Sequence, residues 1–282
     1  MHGFAVVLVL FSAILHATWN AQLKGGGGAQ FDRAQLMASM SFVMGLVALV
    51  ATCFVSLPVR SAWGCIAVSA GLHIVYNLLL LQNYRLSDFA SAYPIARGVS
   101  PLLVALGGFL FMRQGLTLSS IAGVVMISAG IVFLATGKGR VGGFATLSAL
   151  ATGVVIAGYT VVDGMGVQRS QTTLSYTAWV FASYLLMPVV LLVLRFPVRV
   201  VTVQSLPRAG GAGVFSLAAY ALVLWATNYA DVGIVSALRE TSVLWAVVMG
   251  RVFLGEEFTW RRAASAGVIC CGVVLLVAMS GR

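Results

Sequence analysis

Long apolar stretches separated by short polar gaps run the whole length of this sequence. Ten of them can be marked, at roughly 4–23, 34–56, 63–83, 89–112, 119–136, 143–162, 172–194, 209–229, 233–254 and 260–279. A helix needs ~20 apolar residues to cross ~30 Å of hydrocarbon, so each stretch predicts a membrane-spanning helix. The gaps leave no room for a soluble domain. The pattern therefore predicts an all-α integral membrane protein with ten transmembrane helices. Composition agrees: of 282 residues 60% are hydrophobic and only 9% charged, with a mean hydropathy of +1.01. A soluble domain carries ~25% charged residues.

The two halves of the chain resemble each other. At a shift of 142 positions Arg97 falls on Arg239, Ser100 on Ser242, Phe111 on Phe253, Thr117 on Thr259, Gly130 on Gly272 and Gly139-Arg140 on Gly281-Arg282. Asn83-Tyr84 matches Asn228-Tyr229 at a shift of 145, so the first half carries three extra residues before Arg97. This predicts two five-helix repeats, 1–140 and 141–282, joined by Gly137-Lys138-Gly139-Arg140-Val141-Gly142. Five is odd, so the second repeat enters the membrane inverted. Inverted repeats with a site at their interface are a common basis of alternating access in secondary transporters.

Charge refines this picture without changing it. The net charge is +10, but the basic residues stand singly in loops and form no patch for a nucleic-acid backbone. Eleven of them (Lys24, Arg33, Arg85, Lys138, Arg140, Arg195, Arg199, Arg208, Arg251, Arg261, Arg262) lie in odd-numbered loops. Four (Arg60, Arg113, Arg169, Arg282) lie in even loops or at the C-terminus. The positive-inside rule then puts both termini in the periplasm. The first span lacks a basic flank and a cleavage site and reads as a retained helix. Cys53, Cys65, Cys270 and Cys271 fall in apolar spans and read as small core residues. The glycine run 25–28 reads as a turn, since no Gly-Lys-Ser/Thr follows it. Pro94 and Pro101 both lie in the fourth span, which marks it as a kinked helix and a candidate hinge.

Candidate chemistry rests on residues that are costly to keep in lipid. Arg97 and Arg239 occupy equivalent places inside spans, where a charge usually turns toward a partner or a wet cavity. Glu240 adjoins Arg239 and suggests an ion pair, either with that neighbour or across the pseudo-twofold axis. Tyr93 lies one helical turn before Arg97, and the two suit a substrate carboxylate. A second pattern occurs twice, as His16-x-x-Trp19-Asn20 and His73-x-x-Tyr76-Asn77, placing histidine, aromatic and amide on one helical face. Tyr159, Thr160 and Asp163 on span six, with Tyr220, Trp225 and Asn228 on span eight, are comparable material in the second half. These faces either line a small-molecule site or satisfy each other between helices.

Catalysis has little support. The seven acids form no paired-carboxylate motif for magnesium, the histidines are too dispersed for zinc, and no nucleotide-binding motif occurs. No cofactor is expected. The expected partners are a small-molecule substrate and the lipid bilayer.

Three segments carry a family resemblance: Ile14-Leu-His-Ala-Thr-Trp-Asn20, Tyr93-Pro-Ile-Ala-Arg-Gly-Val-Ser-Pro101, and Ala237-Leu-Arg-Glu-Thr-Ser242 with Leu254-Gly-Glu256. Through them the chain resembles a ten-helix, EamA-type member of the drug/metabolite transporter superfamily. One departure is Phe111-Met-Arg-Gln114, where a leucine-glycine-acid ending is usual. The resemblance implies a bacterial inner-membrane carrier with a central cavity between inverted halves, exporting small metabolites, amino acids foremost. Relatives move drugs, nucleotide sugars or sugar phosphates, which are the alternative substrates. The first span holds His16 and Asn20 but no acid, which argues against a purely cationic drug.

Overall fold

The computed structural model describes the backbone of residues 3–24, 30–86, 89–115, 117–135, 142–198, 206–245, 247–248 and 259–279. Side chains are described there too, except at 21–24, 30–32, 84–86, 89–93, 135, 206–208 and 279. The first half contains α1 (Gly3–Lys24), α2 (Gln30–Thr52), α3 (Arg60–Leu86), α4 (Phe89–Met112) and α5 (Leu118–Ala135). The second contains α6 (Gly143–Arg169), α7 (Thr173–Ala182), α8 (Leu186–Val193), α9 (Leu206–Ala226), α10 (Val232–Arg239) and α11 (Trp260–Met279). No strand occurs among the described residues.

Among the described residues eight stretches are long and apolar enough to cross a membrane, one of them running through α7 and α8, and Leu118–Leu134 is a shorter apolar helix. The distribution of polarity is that of a bilayer protein. Phe4, Val7, Phe11, Phe144, Leu147, Val154 and Val274 are exposed on helix surfaces, whereas Ser12, Ser39, Ser69, His73, Asn83, Thr152 and Asp163 are buried. Lipid offers polar groups no partner, so they turn inward and bond between helices. Ser12 donates to the Ala219 carbonyl at 2.7 Å, joining α1 to α9, and Asn83 donates to Thr152 at 2.8 Å, joining α3 to α6. Of the four cysteines only Cys65 is buried; Cys53, Cys270 and Cys271 are exposed, contrary to their reading as core residues.

Helix α4 sits at the centre, packed against α5, α6 and α10. Gly153 of α6 brings its backbone against Ala96: a Cβ there would lie 2.9 Å from the Ala96 carbonyl oxygen. Gly233 of α10 is as close to Ala105. Gln114 then ties α4 to the start of α10, its Oε1 accepting from the Val232 N–H at 3.0 Å. The residue that departs from the family pattern thus caps a helix of the other half, a task a carbonyl oxygen performs without adding charge.

The proline-bearing span keeps its expected bounds, and three other spans depart from the sequence reading. Span four, with both prolines, is one continuous helix. Span nine is the broken one: α10 stops at Arg239, Glu240 and Thr241 form a turn, and helical backbone resumes at 242. There Glu240 N–H bonds to Ala237 O at 3.1 Å, Thr241 N–H to Leu238 O at 3.1 Å and Val243 N–H to Glu240 O at 3.0 Å. These three-residue bonds tighten the chain, a feature that within a helix often marks a functional hinge. Span seven is interrupted as well, by a 3₁₀ turn at Ser183–Leu185, just before Pro188, whose missing N–H frees the Tyr184 carbonyl. Finally, the span expected to end at 162 continues to Arg169 and carries Asp163 into the bundle.

Helices α5 and α11 cross at small residues. A Cβ on Gly130 would meet Ile269 and the Ser265 carbonyl, and one on Gly272 would meet Ile127 and the Gly123 carbonyl at 2.9 Å. Gly272→Leu should therefore force the two helices apart, costing about 1–3 kcal/mol and lowering the thermal midpoint in detergent. Gly267 on the same helix has nothing within 4 Å. Gly267→Ala should leave the midpoint unchanged or raised by up to ~1 kcal/mol of stability.

Candidate functional site

The break in span nine places three charges side by side. Arg239 ends α10, Glu240 occupies the turn, and Arg97 approaches from α4. Arg97 and Arg239 are each 3% exposed and Glu240 is 0% exposed. Glu240 Oε2 lies 2.8 Å from Arg97 Nε, while its Oε1 is 3.6 Å from Arg239 Nη2. The Arg97 Nε–H does not point straight along the short contact, so the pair is ionic rather than a linear hydrogen bond. Arg97 Nη2 also donates to Ser242 Oγ at 3.1 Å and approaches His16 Nε2 at 3.0 Å.

The sequence reading set Arg97 with Tyr93 as a substrate anchor and left Glu240 two pairings, with its neighbour Arg239 or across the pseudo-twofold axis. The closer contact is the one across to Arg97, because the turn at 240–241 aims that carboxylate to α4 rather than back along α10. Arg239 keeps two buried nitrogens, Nε and Nη2, without a hydrogen bond among the described residues. Tyr93 lies on α4 one turn earlier, and its side chain is outside the described residues. Two guanidiniums and one carboxylate leave one positive charge in excess. Such an excess is costly inside a membrane unless an anion joins it.

His16 has a conflict of donors. Trp19 Nε1 points at its Nδ1 at 3.3 Å while Arg97 points at its Nε2. Both neighbours can only donate, and a neutral imidazole accepts at one nitrogen only. The shorter contact makes Nε2 the acceptor for Arg97 and leaves Trp19 as a ring neighbour, with centroids 5.1 Å apart. Trp19 is itself core, packed with Met40, Ala209 and Ala212. Asn20 donates to the His16 carbonyl of its own helix at 2.8 Å. Of the first triplet, then, only His16 reaches the charged cluster.

The second triplet builds an aromatic cluster. His73 stacks on Tyr159 at 4.1 Å, with Tyr184 at 5.4 Å and Tyr220 at 5.7 Å. Tyr76 meets Tyr159 edge-on at 5.7 Å, and Phe181 closes the group against Tyr184 and Tyr220. Asn77 is buried one turn below His73. The charges of Arg97, Arg239 and Glu240 act on both Tyr76 and Tyr159, so the charged and aromatic clusters adjoin. Beyond His73 lies Asp163, fully buried, with Tyr176 donating to Oδ1 at 2.8 Å and Tyr220 to Oδ2 at 2.6 Å. Trp225 is exposed, and Asn228, exposed as well, bonds Thr173 at 2.8 Å, so neither joins the centre.

Sequence reasoning placed Asp163 and Tyr220 among the candidate lining residues but missed Tyr176, Tyr184 and Ser242. The tyrosines of span seven gave no spacing signal because a 3₁₀ turn interrupts their helix. Ser242 had one clue, its match to Ser100 in the repeat.

Comparisons with known proteins agree with this architecture. Residues 143–278 match the EamA-like transporter family. A probable terminal-alkyne amino-acid exporter from Streptantibioticus cattleyicolor is 28% identical over 80 residues, spanning 28% of this chain and 27% of that protein. A crystal structure superposes with a TM-score of 0.79 over 98% of both chains, at 20% identity, which bears on the fold alone. With membrane-length apolar helices in both halves, the chain is a multi-pass membrane protein, and its residues 143–278 carry the match to the EamA-like transporter family.

Proposed function

We propose that this protein exports small zwitterionic or anionic metabolites, amino acids foremost, across the bacterial inner membrane by alternating access. The observation that carries this reading is the surplus charge of the Arg97–Glu240–Arg239 cluster, with two unbonded nitrogens on Arg239. A substrate carboxylate on Arg239 supplies the missing anion and accepts from both nitrogens. The adjoining Tyr76, Tyr159, His73 and Tyr184 receive the rest of the molecule, as apolar surface with a few polar tips. The partial likeness to an amino-acid exporter favours this class.

Alternating access requires two related halves, and we assign 1–140 and 141–282 as inverted five-helix repeats, ten spans in all. Contacts between α5 and α11 support this. At the shift of 142, Gly123 corresponds to Ser265, Ile127 to Ile269 and Gly130 to Gly272. Gly130 packs on Ser265 and Ile269 while Gly272 packs on Gly123 and Ile127. Each contact is thus the other with the halves exchanged, the mark of a two-fold relation. The same exchange turns the α1–α9 packing into the α6–α3 packing.

A phosphorylated sugar is the second reading, since guanidiniums bind phosphate as readily as carboxylate. Counterflow of labelled amino acids, sugar phosphates and a lipophilic cation in proteoliposomes decides among them. Flux of the cation or the phosphate with none of any amino acid would reject the amino-acid assignment.

The two arginines should respond differently. Arg239→Ala leaves the Arg97–Glu240 pair intact, so expression and thermal midpoint should hold while apparent KM rises roughly 10–100-fold. Arg97→Ala strands Glu240 in the bundle and should cost about 3–5 kcal/mol of stability. Normal transport by Arg239→Ala protein would exclude the anchoring role. For orientation, reporters fused to the C-terminus should behave as periplasmic, following the loop charges. A C-terminal fluorescent fusion maturing in the cytoplasm would reverse that assignment.

A further inference from the structure

Asp163 is not used by the substrate site proposed above, yet it is among the most thoroughly enclosed polar groups in the chain, at 0% exposure. Its two oxygens take hydroxyl donors from two different helices, Tyr176 of α7 and Tyr220 of α9. No cation pairs with it among the described residues. A carboxylate held only by neutral donors has no fixed counter-ion, and one proton suffices to remove its charge.

Its neighbour across the interface is a base. His73 of α3 meets Tyr220 edge-on at 5.7 Å, and the same Tyr220 donates to Asp163 of α6 at 2.6 Å. His73 Nδ1 lies 2.9 Å from the Ser69 carbonyl oxygen, which can only accept, and 3.1 Å from the Ser69 hydroxyl, which can accept as well, so the shorter contact puts the ring proton on Nδ1. Nε2 is then the basic nitrogen, and it has no hydrogen-bond partner among the described residues. The other titratable groups around the pair are Tyr159 on α6, Tyr176 on α7, Tyr184 on the 3₁₀ turn and Tyr220 on α9, with Cys65 of α3 near Tyr176. The fixed cation within reach is Arg239, whose charge is felt at His73.

We propose that Asp163 and His73 form a proton-binding site that couples substrate flux to proton flux. The site rests on the transport reading and lies apart from the substrate anchor. One proton adds to the Asp163 carboxylate or to His73 Nε2 when the site faces one side, and the same proton leaves on the other. Two features link its occupancy to the rest of the carrier. Protonating Asp163 turns the charge-assisted bonds from Tyr176 and Tyr220 into weaker neutral ones, which loosens α6 from α7 and α9. A carboxylate bound at Arg239 offsets the charge that reaches His73, so proton and substrate affect each other's binding reciprocally.

Infrared difference spectra of the purified protein in lipid, recorded across about pH 5–9, test the site without any substrate. A titrating band from a protonated carboxyl is expected, absent in Asp163→Asn and displaced in Tyr220→Phe, which keeps the carboxyl should the first variant fold poorly. A spectrum without such a band, or a band insensitive to both substitutions, overturns the proposal. In proteoliposomes, one proton per substrate turns a gradient of one pH unit into a substrate gradient of about tenfold. Asp163→Asn should lose that accumulation while retaining amino-acid counterflow. Accumulation equal to wild type in this variant also overturns the proposal. Silence of every amino acid in counterflow, with the Asp163 band present, rejects the amino-acid reading and leaves the proton site standing.

Discussion

Placing a carboxylate and two guanidiniums inside an apolar bundle is the constraint around which the rest of this structure is arranged. A lone buried charge costs several kcal/mol even after relaxation, so the chain must bring partners together from distant segments. Arg97 and Glu240 come from α4 and the end of α10 and meet at 2.8 Å. That contact requires α10 to stop where it does, because a continuous helix would carry Glu240 around with Arg239 instead of across to α4. The helix break, the close approach of α10 to α4 at Gly233, and the cap from Gln114 are parts of one arrangement.

The two halves solve the same problem with different means. Arg97 and Arg239 are equivalent in the repeat, but only the second half carries an acid beside its arginine. Span four holds two prolines and remains a continuous helix; span nine holds none in its described part and breaks. Neighbours explain the first case, since α4 is enclosed by α5, α6 and α10 and its freed carbonyls lie among other helices. Charge explains the second, since the turn at Glu240 and Thr241 is what allows the ion pair to form. The mechanics of the two segments are therefore unequal: two prolines flank Arg97 in a continuous helix, while a break follows Arg239.

Much of the fold was legible because membrane helices declare themselves by length and apolarity. The helix bounds Gly3–Lys24, Phe89–Met112 and Trp260–Met279 lie close to the stretches read from hydropathy. The site was legible in membership more than in wiring. His16, His73, Tyr76, Tyr159, Arg97, Arg239 and Glu240 do converge, since polar groups that lipid cannot satisfy must meet somewhere inside. Spacing along one helix says nothing about which partner waits on another. Hence Trp19 and Asn20, which share a face with His16, are taken up by core packing and by their own helix. Hence also the choice of Arg97 over Arg239 as the close partner of Glu240, which depends on one turn that no residue pattern announces. Asp163 was read among the polar residues of the second half, but its bond from Tyr176 of α7 had no trace in the sequence.

The order of groups through the centre gives the proposed coupling a physical route. Arg239 lies 3.6 Å from Glu240, His73 packs with Tyr159, Tyr184 and Tyr220, and Tyr220 donates directly to Asp163, which is held by α7 and α9. Every step is a contact or a charge acting across a short stretch of low-dielectric interior, where electrostatic effects are weakly screened. His16 cannot serve this purpose in the same conformation, because its only acceptor nitrogen is occupied by a guanidinium that would repel an added proton. His73 has the opposite setting, with its proton fixed toward Ser69 and its basic nitrogen unclaimed. Two histidines in matching sequence patterns thus end with different capacities, and the difference follows from what each ring faces: Arg97 in one case, the side of the bundle that holds Asp163 in the other.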